Sequence, residues 1–303
     1  MTVTVYRSTD SGAPQVRNTA GNLTTLFDAL LVNGYTGHAS QGWSIAVTDT
    51  NKRVYRMPAG TSQMYLRIDD TGTTSARARG WEVKADINDA VDANNRGPYP
   101  TDTQASGGLY IYKASAAADR AWIAIGNGKM LYFFIEYSGV TNDKHGSAFG
   151  DFTSYKPGDA FNNIIVGSTG SAYPYLGQKA GPVTGHFMPR TVMQTGTSAL
   201  VYTNGSPNPA VNTTYVGYTG MTYPAPTNGY LWINPIYIAD AVGGLRGEFP
   251  GLWEPEHART ILTDKDTFSG VGELAGKTFE WVRCQNVSGT GYCAMAIETS
   301  NTW

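Results

Sequence analysis

Apolar and polar residues alternate with a period of two along much of the chain, the pattern of half-buried β-strands. Thr2 to Arg7 (TVTVYR) reads as a first strand. Ser44 to Val47 and Arg53 to Met57 flank the turn-like TDTNK and read as a hairpin. Met64 to Ile68 is the next strand, and Asp69-Asp70-Thr71-Gly72 supplies the turn chemistry that ends it. Ser75 to Val83 alternates again. Within Ala121 to Glu136, WIAI and MLYFFIE are separated by Gly126-Asn127-Gly128-Lys129, residues that tolerate the positive φ of a tight hairpin turn. The second arm is apolar on both faces, so it is expected to be a core strand covered on both sides.

One segment has clear helical periodicity. Leu23, Leu26, Phe27, Leu30 and Leu31 form a single apolar face at a 3.6-residue period. Asn22 suits an N-cap, and Gly34 suits a stop after Asn33. This helix is expected to pack on a sheet. Ala114 to Asp119 and Glu254 to Leu262 are weaker helical candidates. The expected fold is mainly β: antiparallel sheets in a sandwich-like core, one amphipathic N-terminal helix over 22–33, and long irregular loops rich in Gly, Pro and Tyr.

The texture changes between Gly167 and Thr227. Charge nearly vanishes, Pro207, Pro209, Pro224 and Pro226 appear, and short strands are expected at Ala199 to Thr203 and Thr214 to Tyr218. Loops of this length are uncommon inside compact domains. A flexible linker has no use for so many tyrosines. Two readings stand: an extended arm lying on a neighbouring subunit, or an irregular surface lobe. The division that follows is an N-terminal β-rich domain, 1–166, then a loop-rich segment and a C-terminal β-rich region, 167–303. The latter's strands are Tyr230 to Ile233, Ile236 to Ala239, Thr278 to Arg283 and Tyr292 to Ile297, the last two a hairpin around Asn286 to Gly291.

Composition narrows the function. The 303 residues can bury a sizeable core, roughly 75% of the unfolded surface. Only 15% are charged, 22 basic and 24 acidic, where about 25% is usual. Aromatics reach 12%, which excludes a disordered chain. A net charge of -2 leaves no global footprint for nucleic acid or an anionic membrane. The densest apolar run, Leu131 to Tyr137, is far short of the ~20 residues of a helical membrane span. The start, MTVTVYRSTD, has neither part of a secretion signal. Low charge with many tyrosines suits a surface covered by neighbours, because interfaces favour Tyr and Trp over Lys and Glu. An ordinary β-rich protein would share part of this bias.

Reactive chemistry is sparse. There is no P-loop, dinucleotide fingerprint, nucleophile elbow or zinc-protease helix motif. His38, His145, His186 and His257 are isolated from one another and read as surface or structural residues. Two cysteines cannot build a disulfide scaffold or a four-thiolate zinc site. Asp69 with Asp70, and Glu254 with Glu256, are the carboxylate clusters. A glycosidase needs two carboxyls about 5–9 Å apart. A strand-ending turn explains the first cluster. A helix opening with Pro255 in its first turn explains the second. Asp143-Lys144-His145 reads as a solvated loop after the core strand. Arg77 and Arg79 share one strand face, with Arg67 on a neighbour, and either grip a partner's carboxylates or simply face solvent. Cys284 and Cys293 lie directly opposite if Ser288-Gly289 is the hairpin loop, and diagonally if Gly289-Thr290 is. Without a secretion signal, reduced thiols are expected. No catalytic residue, cofactor or metal is expected.

Several unusual strings carry a resemblance. The opening VTVYRSTDSGAP is followed by LFDALLVNGY and YLRIDDTGTTSARARGWE, then by GGLYIYKAS and FGDFTSYKPGDAFN. LRGEFPGLWEP, DTFSGVGELAGKTFEWV and the finish ETSNTW complete the set. Across nearly its whole length the chain resembles a family of virion structural proteins of tailed bacteriophages, tail or baseplate components. The resemblance implies a non-enzymatic subunit, assembled in the host cytoplasm, whose partners are copies of itself and other virion proteins. It brings no functional residues with it. On this reading Tyr173, Tyr175, Tyr202, Tyr215, Tyr218 and Tyr223 are candidate interface residues, because rigid Tyr gives contact area at low entropy cost. Arg77 and Arg79 join them. The alternative is a receptor- or glycan-binding module at a tail tip, with a host-surface glycan as partner. A virion-associated glycan hydrolase acting through Asp69, Asp70, Glu254 or Glu256 comes third.

Overall fold

The computed structural model describes residues 2–83, 87, 97–113, 117–136, 144–168, 185–193, 199–204, 224–225, 228–240, 244–257, 259–285, 292–300 and 303, with backbone alone at 199–204, 240, 259, 285 and 292–293. It is mainly β with one α-helix. In chain order come β1 (Thr4–Arg7), α1 (Asn22–Phe27), β2 (Ser44–Asp49), β3 (Lys52–Arg56), β4 (Tyr65–Asp69), β5 (Ser75–Trp81) and β6 (Leu109–Tyr112). They are followed by β7 (Trp122–Gly126), β8 (Met130–Glu136), β9 (Lys144–Asp151), β10 (Thr153–Ser154), β11 (Asn163–Val166), β12 (His186–Met188) and β13 (Ala199–Asn204). The last five are β14 (Ile233–Asp240), β15 (Gly244–Pro255), β16 (Thr267–Ser269), β17 (Thr278–Gln285) and β18 (Tyr292–Glu298).

Strands β2 to β6 form a five-stranded antiparallel meander, and the other thirteen form one large sheet. Its order is β1-β7-β8-β9-β11-β12-β13-β14-β15-β18-β17-β16, with β10 on β15. One parallel pairing, Cys284 opposite Lys144, joins β17 back to β9. The strands from β9 through β11 and β15 to β17 therefore close into a ring.

Strand β8 explains the layering. Leu131, Phe133 and Ile135 point into a front core, shared with Leu23, Leu26, Phe27, Leu30 and Leu31 of the helical segment and with Leu66, Ile68, Ala76 and Leu109 of the meander. Met130, Tyr132 and Phe134 point into a back core with Ile236, Ile238, Phe249, Leu252, Val282 and Ile297. Alternate side chains of a strand point to opposite faces, so a strand apolar on both must separate two cores. Strands β1, β7, β8, β9, β11 and β12 act as a shared wall. The helix and meander cover its front, and the folded-back half of the large sheet covers its rear.

The helical face expected from the sequence is the buried one: all five apolar residues are inaccessible to solvent. The segment is α-helical over Asn22–Phe27 and continues as a π-helix over Asp28–Asn33. Gly34, at φ 71°, ends it as expected. The cap differs. Gly21 holds the N-cap position, and no neighbouring side chain bonds the free amides. Asp70 reaches across instead, one oxygen accepting from Leu23 N at 2.7 Å and Thr24 N at 3.4 Å. Its other oxygen pairs with the Lys113 ammonium, and both side chains are fully buried. That ammonium also donates to Thr19 O at 2.8 Å and Gly72 O at 2.6 Å. Desolvation pushes Asp70 up and Lys113 down, against the ion pair that holds both charged.

Other expectations shift. Glu254-Pro255 ends strand β15 rather than opening a helix, and among the described residues of that candidate Arg259–Ile261 forms a 3-10 turn. Of the two strands expected over 230–239, Ile236 to Ala239 lies within β14, which is irregular between Pro235 and Tyr237, while Tyr230 to Ile233 contributes only Ile233 to it. Lys144 and His145 are not loop residues: they begin β9, buried along its whole length. The Lys144 ammonium meets Asp264, whose other oxygen accepts from Arg283 N at 3.0 Å. The ladder also crosses the expected domain boundary, since β11 pairs with β12. The texture change at Gly167 is thus no gap between sheets. Of the helical candidate Ala114 to Asp119, residues 114–116 lie outside the described residues and 117–119 are not helical; the strand candidate Thr214 to Tyr218 lies wholly outside them.

Candidate functional site

The two carboxylate clusters stand on different sheets. Asp70 is spent on the helix amides and Lys113. Asp69 faces Lys52 at 3.3 Å and accepts from the Thr71 hydroxyl at 2.7 Å. Glu254 is fully buried in β15, and Glu256 accepts from Asn234 Nδ2 at 2.6 Å. The first cluster belongs to the meander and the second to the large sheet.

The arginine face is real but turned inward. Arg67 and Arg79 are direct cross-strand partners, as the sequence suggested. Both are buried. Arg79 pairs with Asp102 of its own chain, Arg67 lies over the Trp81 ring, and Arg77 stacks on Tyr110 with its centre 3.2 Å from the ring centroid. Arg77 also donates to Ser106 O and Gly108 O. Arg79 is therefore interior rather than offered to a partner, and Arg77 is half-buried and occupied by its own chain. The physical reason is the 99–108 connection, which lies over this face and supplies the acceptors.

Of the candidate tyrosines, Tyr173, Tyr175, Tyr215, Tyr218 and Tyr223 lie outside the described residues. Tyr202 is described in backbone only, in β13 opposite Ala239. Cys284 and Cys293 take the directly opposite register. His145 and His186 are buried, and desolvation lowers them to about 4 and about 3. Among the described residues no group of three or more His, Cys, Asp or Glu is placed to hold a metal ion.

Two recesses, neither singled out from the sequence, hold the exposed chemistry. The first is a groove of about 510 Å³ between the entry to β14 and the edge strand β16. Tyr230 (53%), Trp232 (41%) and Val271 (51%) are unusually exposed along it. None of its described lining residues is charged. Side-chain and backbone bonds hold Trp232 and the Tyr230 backbone in this wall. Asn228 Oδ1 accepts from Trp232 Nε1 and Tyr230 N, each at 3.1 Å, and Trp232 N donates to His257 Nε2 at 2.9 Å. Opposite, Phe268 stacks on Phe279 with centroids 5.3 Å apart. The run Gly229-Tyr230-Leu231-Trp232 was a detectable signal, but it reads equally well as strand.

The second is a polar cleft of about 580 Å³. Ser62 comes from the β3–β4 turn, Lys129 from the β7–β8 turn, Asp151 to Asn162 from β9, β10 and the loop beyond, and Trp303 from the final residue. Asp151 is buried and accepts from Ser62 N at 2.7 Å and from Ser62 Oγ. Burial pushes its carboxyl up to about 6, opposed by those bonds and by the Lys129 charge. Asp159 is neutralised by Arg246, whose Nε and Nη2 donate to its two oxygens at 2.9 Å each. These walls are assembled from remote turns, which is why no local motif announced the cleft.

No family model matches the chain, and no curated protein matches it either.

Proposed function

We propose that this protein is a structural subunit of a tailed-bacteriophage particle, in the tail or baseplate, acting by symmetric assembly rather than catalysis. The observation that carries the reading is the groove, uncharged among its described residues, with its exposed Tyr230 and its exposed, hydrogen-bonded Trp232. Exposed aromatic rings in an uncharged recess are what interface anchors are made of once a partner excludes the water. Strand β16 forms the sheet's edge beside the groove, so a neighbour can gain backbone bonds as well as ring contacts. The charge economy supports the same view. Arg67, Arg79, Lys113, Lys144 and Arg246 are buried, so a chain with few charges keeps even fewer outside. The partner is another copy of the chain or an adjoining virion protein, met in the host cytoplasm during assembly.

Sedimentation of the purified protein tests this directly. Wild type is expected to self-associate at micromolar concentration, and Trp232→Asp to weaken association at least tenfold while leaving the far-ultraviolet spectrum unchanged. A wild type that stays monomeric, together with normal particle incorporation of Trp232→Asp, overturns it.

A further inference from the structure

We infer that the polar cleft between the β3–β4 turn, the β9–β11 connection and Trp303 binds an acidic saccharide, its carboxylate directed to Lys129 and Lys156 and its ring to the Trp303 indole. This goes beyond the assembly role and uses a different surface. About 580 Å³ falls in the ordinary range of small-ligand sites and holds two or three sugar rings.

The charges set the sign of the ligand. Neither Lys129 nor Lys156 lies within ion-pair distance of any carboxylate among the described residues. Among the described residues the Lys156 ammonium donates to the neutral Val192 carbonyl, at 2.6 Å. The acids of the cleft are already committed: Asp159 to the buried Arg246 guanidinium, and Asp151 to both donors of Ser62. With Asp159 balanced by Arg246, the two ammonium groups outnumber the one remaining carboxylate, Asp151, on which Lys129 already acts, and the cleft attracts an anion.

The remaining walls favour a ring bearing hydroxyls over a bare anion. Trp303 is fixed from three sides. Its Nε1 donates to Glu298 O at 2.7 Å, its carbonyl accepts from Asn127 Nδ2, and its ring seats on Gly251. Gly251 lies at φ +67°, and a β-carbon there would sit 2.5 Å from the indole, so only glycine lets the ring approach. A held indole is a preformed platform for the C–H face of a sugar. The exposed Thr153 and the half-buried Ser154 and Asn162 supply polar groups around it.

Calorimetric titration of the full chain with tetragalacturonate, with a neutral hexose tetramer and with inorganic phosphate tests the assignment. Tetragalacturonate is expected to bind saturably, at least tenfold tighter than either control. Lys129→Ala and Lys156→Ala should each weaken it at least fivefold, and raised salt should weaken it too. Gly251→Ala, which moves the ring but no charge, should weaken it at least threefold. No binding of tetragalacturonate overturns the inference. So does equal binding of the neutral tetramer, equal binding of phosphate, or indifference to Lys129→Ala. None of these outcomes bears on self-association through Trp232, so the two readings fail separately.

Discussion

The front layer and the junction of the rear layer with the shared wall each hold a buried lysine–aspartate pair, yet the two pairs do different work. In front, Asp70 caps a helix from outside its own sequence, and Lys113 compensates the charge this requires. Behind, Lys144 stands at the point where β17 meets β9, and Asp264 carries the link onward to the Arg283 amide. One pair secures a helix to a meander; the other closes a ring. A buried ion pair adds little net stability over an apolar equivalent, but removing one partner strands a charge. The lesson is that such pairs specify which element docks where.

The largest effects should come from splitting the pairs. Lys113→Ala and Lys144→Ala are each expected to cost about 3–5 kcal/mol in denaturant unfolding. Hydrogen exchange separates them: Lys113→Ala should release the Leu23 and Thr24 amides, while Lys144→Ala leaves those protected and releases Arg283. Matching exchange patterns would show that the layers are not secured independently. Phe133→Ala and Phe134→Ala, neighbours on β8 that face opposite cores, should each cost about 3–5 kcal/mol. If the wall isolates the cores, the double variant costs the sum to within about 0.5 kcal/mol. A larger departure would merge the two cores into one.

The smallest effect is a pH dependence with one contribution from each side. His145 touches Tyr112 in front, and His186 shares the β12 face of Met188 behind. Both are held neutral, their folded pKa values near 4 and 3 lying below the ordinary 6.5. Their contribution is complete above pH 6.5 and is lost as pH falls, by about 1.4 kcal/mol per unit per histidine until the folded value is reached. Asp151 works in the opposite sense. Its raised value, about 6, means that the unfolded chain releases this proton first, so stability from this group grows as pH falls from 6 toward 4. Unfolding midpoints from pH 7 to 4.5 should therefore fall in wild type, and less steeply in His186→Leu. A parallel decline in that variant would remove His186 from the explanation.

How far the sequence revealed this depends on whether the determining contacts are local. The helix was legible because its five apolar residues must share a face, and β8 because both of its faces are apolar. The β2–β3 and β17–β18 hairpins were legible from alternation around a turn. Strand β9 was not. KHGSAFGD has two glycines and opens on a cation, and the ion pair that makes that cation tolerable inside comes from Asp264, 120 residues away. The capping role of Asp70 was hidden for the same reason: the amides it serves lie some 46 residues earlier. Arg77 and Arg79 were placed on the right face but were read as open, because nothing in their neighbourhood reveals the loop that covers them. The two recesses were the least legible, each walled by turns that meet only after folding.

Storing fixed charges inside has a consequence for behaviour in electrolyte. Mobile ions screen solvent-facing charges strongly and enclosed ones weakly. Concentrated salt should thus leave the melting temperature almost untouched while stripping away what little mutual repulsion keeps separate molecules apart. Ionic strength would then act as a control on clustering rather than on unfolding.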